Sequence, residues 1–188
     1  MLIREPTSED VAALGRLHAE AWQSAYAGLM PAEVLGRVTV ERRTERWTRI
    51  LADGVGLDER IEVAEADGQI VGFAHTGPCR DEDAADGLGE LYAINVAPAW
   101  WGKGAGPALL EAARRSLAVA GFGSAVLWVL PGNMRARRFY EARGWISDGA
   151  AREIQFGGAR IPEVRHAIDL RAPDRRPEDN RIPATAAG

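Results

Sequence analysis

The segment Trp101-Gly102-Lys103-Gly104-Ala105-Gly106 limits the possible folds of this chain more than any other, because its two flanks carry different periodicities. Glu90 to Val96 reads as a strand that Pro98 ends, whereas Ala108 to Ala120 carries Leu109, Leu110, Ala113 and Leu117 at helical spacing. Gly121 and Gly123 stop that helix, and Ala125 to Leu130 is a continuous apolar run of the buried-strand kind. A strand, a glycine turn, a helix and a second strand require parallel neighbours. Glycines let the backbone turn sharply and approach a ligand, and free N–H groups at a helix start, helped by the helix dipole, suit a diphosphate. Glycine spacing alone fits a tight turn with nothing bound equally well.

The rest of the chain surrounds this unit. Ile3 to Pro6 predicts a short strand, and Ser8 is positioned to cap a helix with Val11, Leu14, Leu17, Ala21 and Trp22 on one face, fraying near Gly28. Pro31 opens a second helical stretch, broken around Gly36 and resumed through Val40, Thr44, Trp47, Ile50 and Leu51. Ile61 to Glu65 and Ile70 to Ala74 read as a hairpin turned by Asp67-Gly68. Residues 78 to 89 form an acidic loop, and Asn133 caps a short helix with Ala136, Phe139 and Tyr140 up to Gly144. Two more strands, about Arg152 to Phe156 and Val164 to Leu170, flank Gly157-Gly158. The pattern predicts an α/β fold with a mixed sheet flanked by helices, one domain over residues 1–170 and a disordered tail over 171–188.

Composition narrows the function classes. The net charge of −4 over 188 residues gives no broad basic face for nucleic acid. No apolar run reaches the roughly 20 residues of a membrane span, and no secretory signal opens the chain, so a cytoplasmic protein is expected. The single cysteine, Cys79, and three scattered histidines argue against a metal site. Lys103 is followed by Gly104 rather than Ser or Thr, which excludes a P-loop, and the loop also departs from the dinucleotide-binding fingerprint.

Two patches in order carry a more specific signal. Val96-x-Pro98-x-Trp100 through Gly106, continuing to Ala108-Leu109-Leu110, resembles the acetyl-CoA signature of the GCN5-related N-acetyltransferase (GNAT) family. Asn133-x-x-Ala136-x-x-Phe139-Tyr140-Glu141-x-x-Gly144-Trp145 resembles that family's second block. The resemblance runs from Ile3 to about Leu170 and implies a mostly antiparallel sheet with a central strand-helix-strand acyl-CoA site. It implies that Ile94, Asn95 and Val96 pair with the pantetheine arm, and that Trp101, Gly102, Lys103, Gly104, Ala105, Gly106 and Pro107 hold the diphosphate through main-chain N–H groups. One departure stands out: Trp101 occupies the position where the family's loop usually begins with Arg or Gln.

The implied reaction moves an acetyl group from acetyl-CoA to a primary amine of a small molecule or a protein N-terminus, without a metal; a homodimer is compatible with it. A non-catalytic acyl-CoA-binding domain on the same fold is the alternative. By resemblance the Val96 N–H sits at a strand bulge and donates to the thioester carbonyl, and Tyr140 is either the general acid for the thiolate or a packing aromatic. Glu90 is either the base for the amine or an ordinary exposed carboxylate at the strand end. Asn133 binds cofactor, caps its helix, or does both. Trp22, Tyr26, Tyr92 and Trp128 line an acceptor pocket or belong to the core. Asp81 to Asp86 either attract a cationic acceptor or form a solvated loop. No role is assigned to His18, His75, His166 or Cys79.

Overall fold

The structure is a computed structural model that describes residues 1–171. The expected tail therefore lies, apart from Arg171, outside the described residues. Seven strands form one sheet in the order β1-β2-β3-β4-β5-β7-β6, with every neighbouring pair antiparallel except β4 and β5. The strands are β1 (Leu2–Arg4), β2 (Arg60–Ala66), β3 (Gln69–Pro78), β4 (Leu88–Val96), β5 (Ser124–Val129), β6 (Ile146–Phe156) and β7 (Ala159–Asp169). The helices are α1 (Val11–Tyr26), α2 (Ala32–Gly36), α3 (Val40–Asp53), α4 (Ala105–Val119) and α5 (Met134–Glu141).

Strand alternation explains why helices cover both faces. On β3, Phe73 packs into a cluster with Leu14, Leu17 and Trp47 of α1 and α3, while its neighbour Ala74 packs with Leu109, Leu110 and Leu117 of α4. A third cluster, Met30, Leu130 and Ile161, closes the sheet end where α1 runs out. The β2–β3 hairpin turns at Asp67 and Gly68, both with positive φ (51° and 72°), as a two-residue primed turn requires.

Several boundaries differ from those read in the sequence. Thr7, not Ser8, caps the first helical turn: its N–H donates to the Asp10 carboxylate, which Arg4 also grips at 2.7 and 2.9 Å. The last two strands are each 11 residues long, well beyond the expected segments, because they continue as a ribbon beside only one further strand. Such a ribbon does not need an unbroken apolar pattern, and the β6 stretch from Ile146 to Gly149 is exposed.

Candidate active site

The site begins where two parallel strands separate. β4 and β5 pair only through Leu88–Glu90 and Ser124–Val126, after which β4 stays with β3 and β5 stays with β7. A wedge opens between their C-terminal ends. Within the β3–β4 ladder Ala97 donates to the Val71 carbonyl, and the register sets Val96 opposite Gly72. Antiparallel alternation then turns the main-chain groups of Ile94 and Val96 away from β3 and into the wedge, while those of Asn95 face β3. The irregularity in this ladder leaves Tyr92 as the extra residue, since His75 faces Ala93 and Thr76 faces Leu91. This corrects the expectation of a bulge at Val96: its N–H is freed by the parting of the strands.

The glycine loop faces the same wedge. Gly102 and Gly104 take left-handed φ values of 75° and 91°, and Gly104 caps α4. The N–H groups of Gly102, Gly104, Ala105 and Gly106 have no hydrogen-bond partner among the described residues, and Pro107 has no N–H to leave unpaired. Four unpaired amides at the start of a 15-residue helix are the donors a diphosphate needs, so this loop fits the CoA group that the motif implies. Arg135 lies with its guanidinium 3.3 Å from the Trp101 ring centroid, and Arg143 is 4.2 Å from that of Phe139; both add positive charge to the wedge. Burial lowers the pKa of each guanidinium somewhat below its usual value, which leaves both charged at neutral pH. The Trp101 indole N–H donates to the Val96 carbonyl at 2.8 Å, tying the loop back to the strand.

Two cavities meet here. The first, about 400 Å³, runs from the glycine loop past Ile94 and Val96 to Phe139 and Tyr140. The second, about 180 Å³, extends from Val96 and Tyr140 toward Trp22, Tyr26, Trp128 and Glu163. Val96 and Tyr140 belong to both walls. The Tyr140 hydroxyl makes no hydrogen bond within the described residues, and burial raises its pKa well above that of an ordinary phenol, so it remains protonated at neutral pH.

The structure sorts the remaining sequence expectations. Ile94, Val96, Trp101, Gly102, Gly104, Gly106 and Pro107 line the first cavity; Ala105 is buried beneath it, and Lys103 turns toward the Trp100 ring. Asn95 and Asn133 line the second cavity instead, and the Asn133 Oδ1 accepts from the Ala136 N–H at 3.1 Å as the cap of α5. Trp22, Tyr26, Tyr92 and Trp128 all border the second cavity. Trp22 packs edge to face against Tyr26 with centroids 4.9 Å apart, and burial pushes the unpartnered Tyr26 hydroxyl up to about 12. The Tyr92 hydroxyl donates to the Pro78 carbonyl at 2.6 Å.

Glu90 falls outside both cavities. It lies where β4 and β5 still pair, six residues or roughly 20 Å of extended chain from Val96. Its carboxylate is 2 % exposed and accepts from the Arg80 main chain at 2.9 Å and the Arg80 guanidinium at 2.8 Å. Both readings of Glu90 are thereby corrected, since it is neither beside the wedge nor solvated. Asp81 is likewise no solvated loop residue: it accepts from Trp128, Arg152 and Arg165 and pins the acidic loop to the sheet. Arg135, Arg143, Phe156 and Glu163 border the cavities without having been singled out in the sequence. Glu163 sits in the part of β7 that the apolar pattern missed, and nothing local distinguishes the two arginines.

Comparison with known proteins agrees with this geometry. Residues 20–145 match the family described as "Acetyltransferase (GNAT) family". The chain is 29% identical over 163 residues to YuaI, an uncharacterized N-acetyltransferase of Bacillus subtilis (strain 168), covering 86% of this chain and 89% of that protein. It is 36% identical over 110 residues to the mycothiol acetyltransferase of Stackebrandtia nassauensis, a match that covers 57% of this chain and only 33% of that protein. In fold it resembles yncA from Salmonella typhimurium, solved with its cofactor acetyl-CoA, with a TM-score of 0.67 at 22% identity over 94% of this chain and 99% of that one. The family match spans most of the chain, both of its motifs stand around the wedge, and the chain belongs to the GNAT family as an acetyl-CoA-dependent N-acetyltransferase.

Proposed function

We propose that the protein acetylates a primary amine of a small molecule or a protein N-terminus by direct attack, with the acceptor in the second cavity and the acetyl donor in the first. The observation that carries this reading is that Val96 and Tyr140 belong to both cavities, so a donor and an acceptor would meet between them. When bound, acetyl-CoA supplies an activated acetyl group as a thioester. The free amides of the glycine loop hold the diphosphate, with Arg135 and Arg143 adding charge at the rim.

The Val96 N–H, aimed into the wedge, donates to the acyl oxygen as negative charge gathers there. Tyr140 keeps its proton at neutral pH, gives it to the departing sulfur and takes back the proton that the acylated nitrogen sheds. Asn133 orients α5, and through it Tyr140. Cys79 is a free thiol, in keeping with a cytoplasmic location.

Tyr140→Phe tests the acid role. Loss of a general acid lowers kcat by roughly 10²- to 10⁴-fold. Acetyl-CoA affinity measured by calorimetry stays at the wild-type value, because the loop amides are untouched. A variant that turns over at the wild-type rate removes Tyr140 from the mechanism.

A further inference from the structure

We propose that Glu163 receives the acceptor: its carboxylate binds the ammonium head of a small aliphatic primary amine inside the aromatic cavity and removes the proton that the nitrogen must lose before it attacks. The assignment rests on the acetyl-transfer reading above and fills the role that Glu90, locked to Arg80, leaves open.

The geometry supports it in three ways. Glu163 is the one carboxylate among the described residues lining the second cavity, and its side chain is only 12% exposed. One oxygen, Oε2, accepts from Arg152 at 2.9 Å, while Oε1 has no partner among the described residues. A partly buried carboxylate held by one oxygen has the other ready for a cation. The ion-pair cluster behind it sets Arg152 and Arg165 against Asp81, Asp148 and Glu163, so two cations face three carboxylates and one negative charge remains over.

The walls suit the same ligand. The rings of Trp22, Tyr26 and Trp128 border the space; guanidiniums already lie over the Trp22 and Trp128 rings, and the Tyr26 ring carries none among the described residues, so its face is the one to attract an alkylammonium ion. A cavity of about 180 Å³ admits a compact aliphatic amine or the end of a longer one. Arg135 across the cavity and Arg43, 4.5 Å from the Trp22 ring centroid, place positive charge nearby. Like charges and desolvation both favour the neutral amine. In the step itself the ammonium N–H bond breaks, its electron pair stays on nitrogen, and the proton forms a carboxylic acid on Glu163. The nitrogen lone pair then attacks, and the acid returns its proton to water when product leaves.

The test uses n-butylammonium and 1,4-diaminobutane as probes, with n-butanol as the neutral control, titrated by calorimetry into the full chain saturated with CoA. Wild type takes up both amines, and Glu163→Gln, which can still accept the Arg152 bond, binds them roughly 10- to 100-fold more weakly. n-Butanol does not distinguish the two proteins, and Glu163→Asp recovers part of the loss. With acetyl-CoA, Glu163→Gln lowers kcat as well as raising KM for n-butylamine, while its affinity for acetyl-CoA and its melting temperature match wild type. Equal amine affinity in wild type and Glu163→Gln, or no uptake by wild type, overturns the assignment and leaves acetyl transfer standing. Weaker amine binding with unchanged kcat overturns the proton-transfer half. A wild-type protein that binds no acetyl-CoA sinks the acetyl-transfer reading and the proton-transfer half with it, and the same amine titration run without CoA then decides whether Glu163 binds the ammonium.

Discussion

The two cavities that meet at Val96 and Tyr140 are made of different materials. The first is built around one short stretch, Ile94 to Pro107, whose glycine loop offers main-chain N–H groups, with α5 and Arg143 as its other wall. The second is built from side chains on α1, β4, β5, α5, β6 and β7, far apart in sequence. A main-chain site tolerates most side-chain changes and fails where the backbone itself is changed. A side-chain site can be retuned one residue at a time. The largest expected effect follows from that difference.

Gly104→Asp puts a carboxylate at the cap of α4, among the free amides that would hold the diphosphate. It also forces a side chain into φ +91°. Gly121 has φ +92° and equally open space around its missing Cβ, but it lies beyond the far end of α4. Gly121→Asp therefore carries the same backbone strain, about 1 kcal/mol, without touching the anion site. Calorimetry is expected to show CoA affinity reduced by about 10³-fold, or about 4 kcal/mol, for Gly104→Asp. Gly121→Asp should change it by less than twofold, although it loses the more thermal stability of the two, since its carboxylate lies at the negative end of the α4 dipole and that of Gly104→Asp at the positive end. Equal affinity losses would mean that strain, not the amides, had been measured.

The side-chain cavity has its weak point elsewhere. Asp81 holds Arg152, Arg165 and the Trp128 indole, and Arg152 in turn holds Glu163. Asp81→Ala leaves two partly exposed guanidiniums short of a partner, a loss of about 2 kcal/mol in urea unfolding. Acceptor KM rises while CoA affinity does not change. If CoA affinity fell in parallel, the two cavities would not be separable.

Acid should loosen the same half of the molecule. His18 lies under Trp22, with ring centroids 6.0 Å apart, and burial lowers its pKa from 6.5 to about 2. The fold therefore holds this ring neutral. Stability is full above pH 6.5 and declines as pH falls below it, because the unfolded chain takes up a proton that the folded chain refuses. One such group contributes at most about 1.4 kcal/mol per pH unit below 6.5. His75, whose pKa burial also lowers, adds in the same direction despite its contact with Glu59. Melting curves from pH 7 to 5 should fall more steeply for wild type than for His18→Gln, and equal slopes would assign the acid sensitivity to other groups.

The same contrast explains what could be read from the sequence. The loop from Trp101 to Gly106 and the Asn133 cap were legible because main-chain sites depend on glycines and caps at fixed local spacing. The β2–β3 turn was legible for the same reason. Trp22, Tyr26, Tyr92 and Trp128 could be named as aromatics, but only the fold brings them to one cavity. Glu163 was invisible, because its strand is a ribbon without a clean apolar alternation, its partner Arg152 is 11 residues away, and the Asp81 that also holds Arg152 is 82 residues away. Glu90 misled because its place at the start of a motif strand says nothing about Arg80, which the loop folds back onto it.

Trp101 stands at the junction of the two cavities and sets the smallest test of their independence. Its indole N–H occupies the Val96 carbonyl at 2.8 Å, and that carbonyl points into the wedge where an amide of the cofactor arm would also seek it. Its ring face carries the Arg135 guanidinium 3.3 Å away. Trp101→Phe keeps an aromatic face for Arg135 and removes only the indole donor. A single partly exposed hydrogen bond is worth about 0.5–1 kcal/mol, so freeing the carbonyl should tighten CoA binding by about two- to fivefold. Acceptor KM, which depends on side chains across the sheet, should not move. A weaker CoA complex would show instead that the indole serves as part of the cofactor wall, while a shift in acceptor KM alone would place Trp101 functionally in the second cavity.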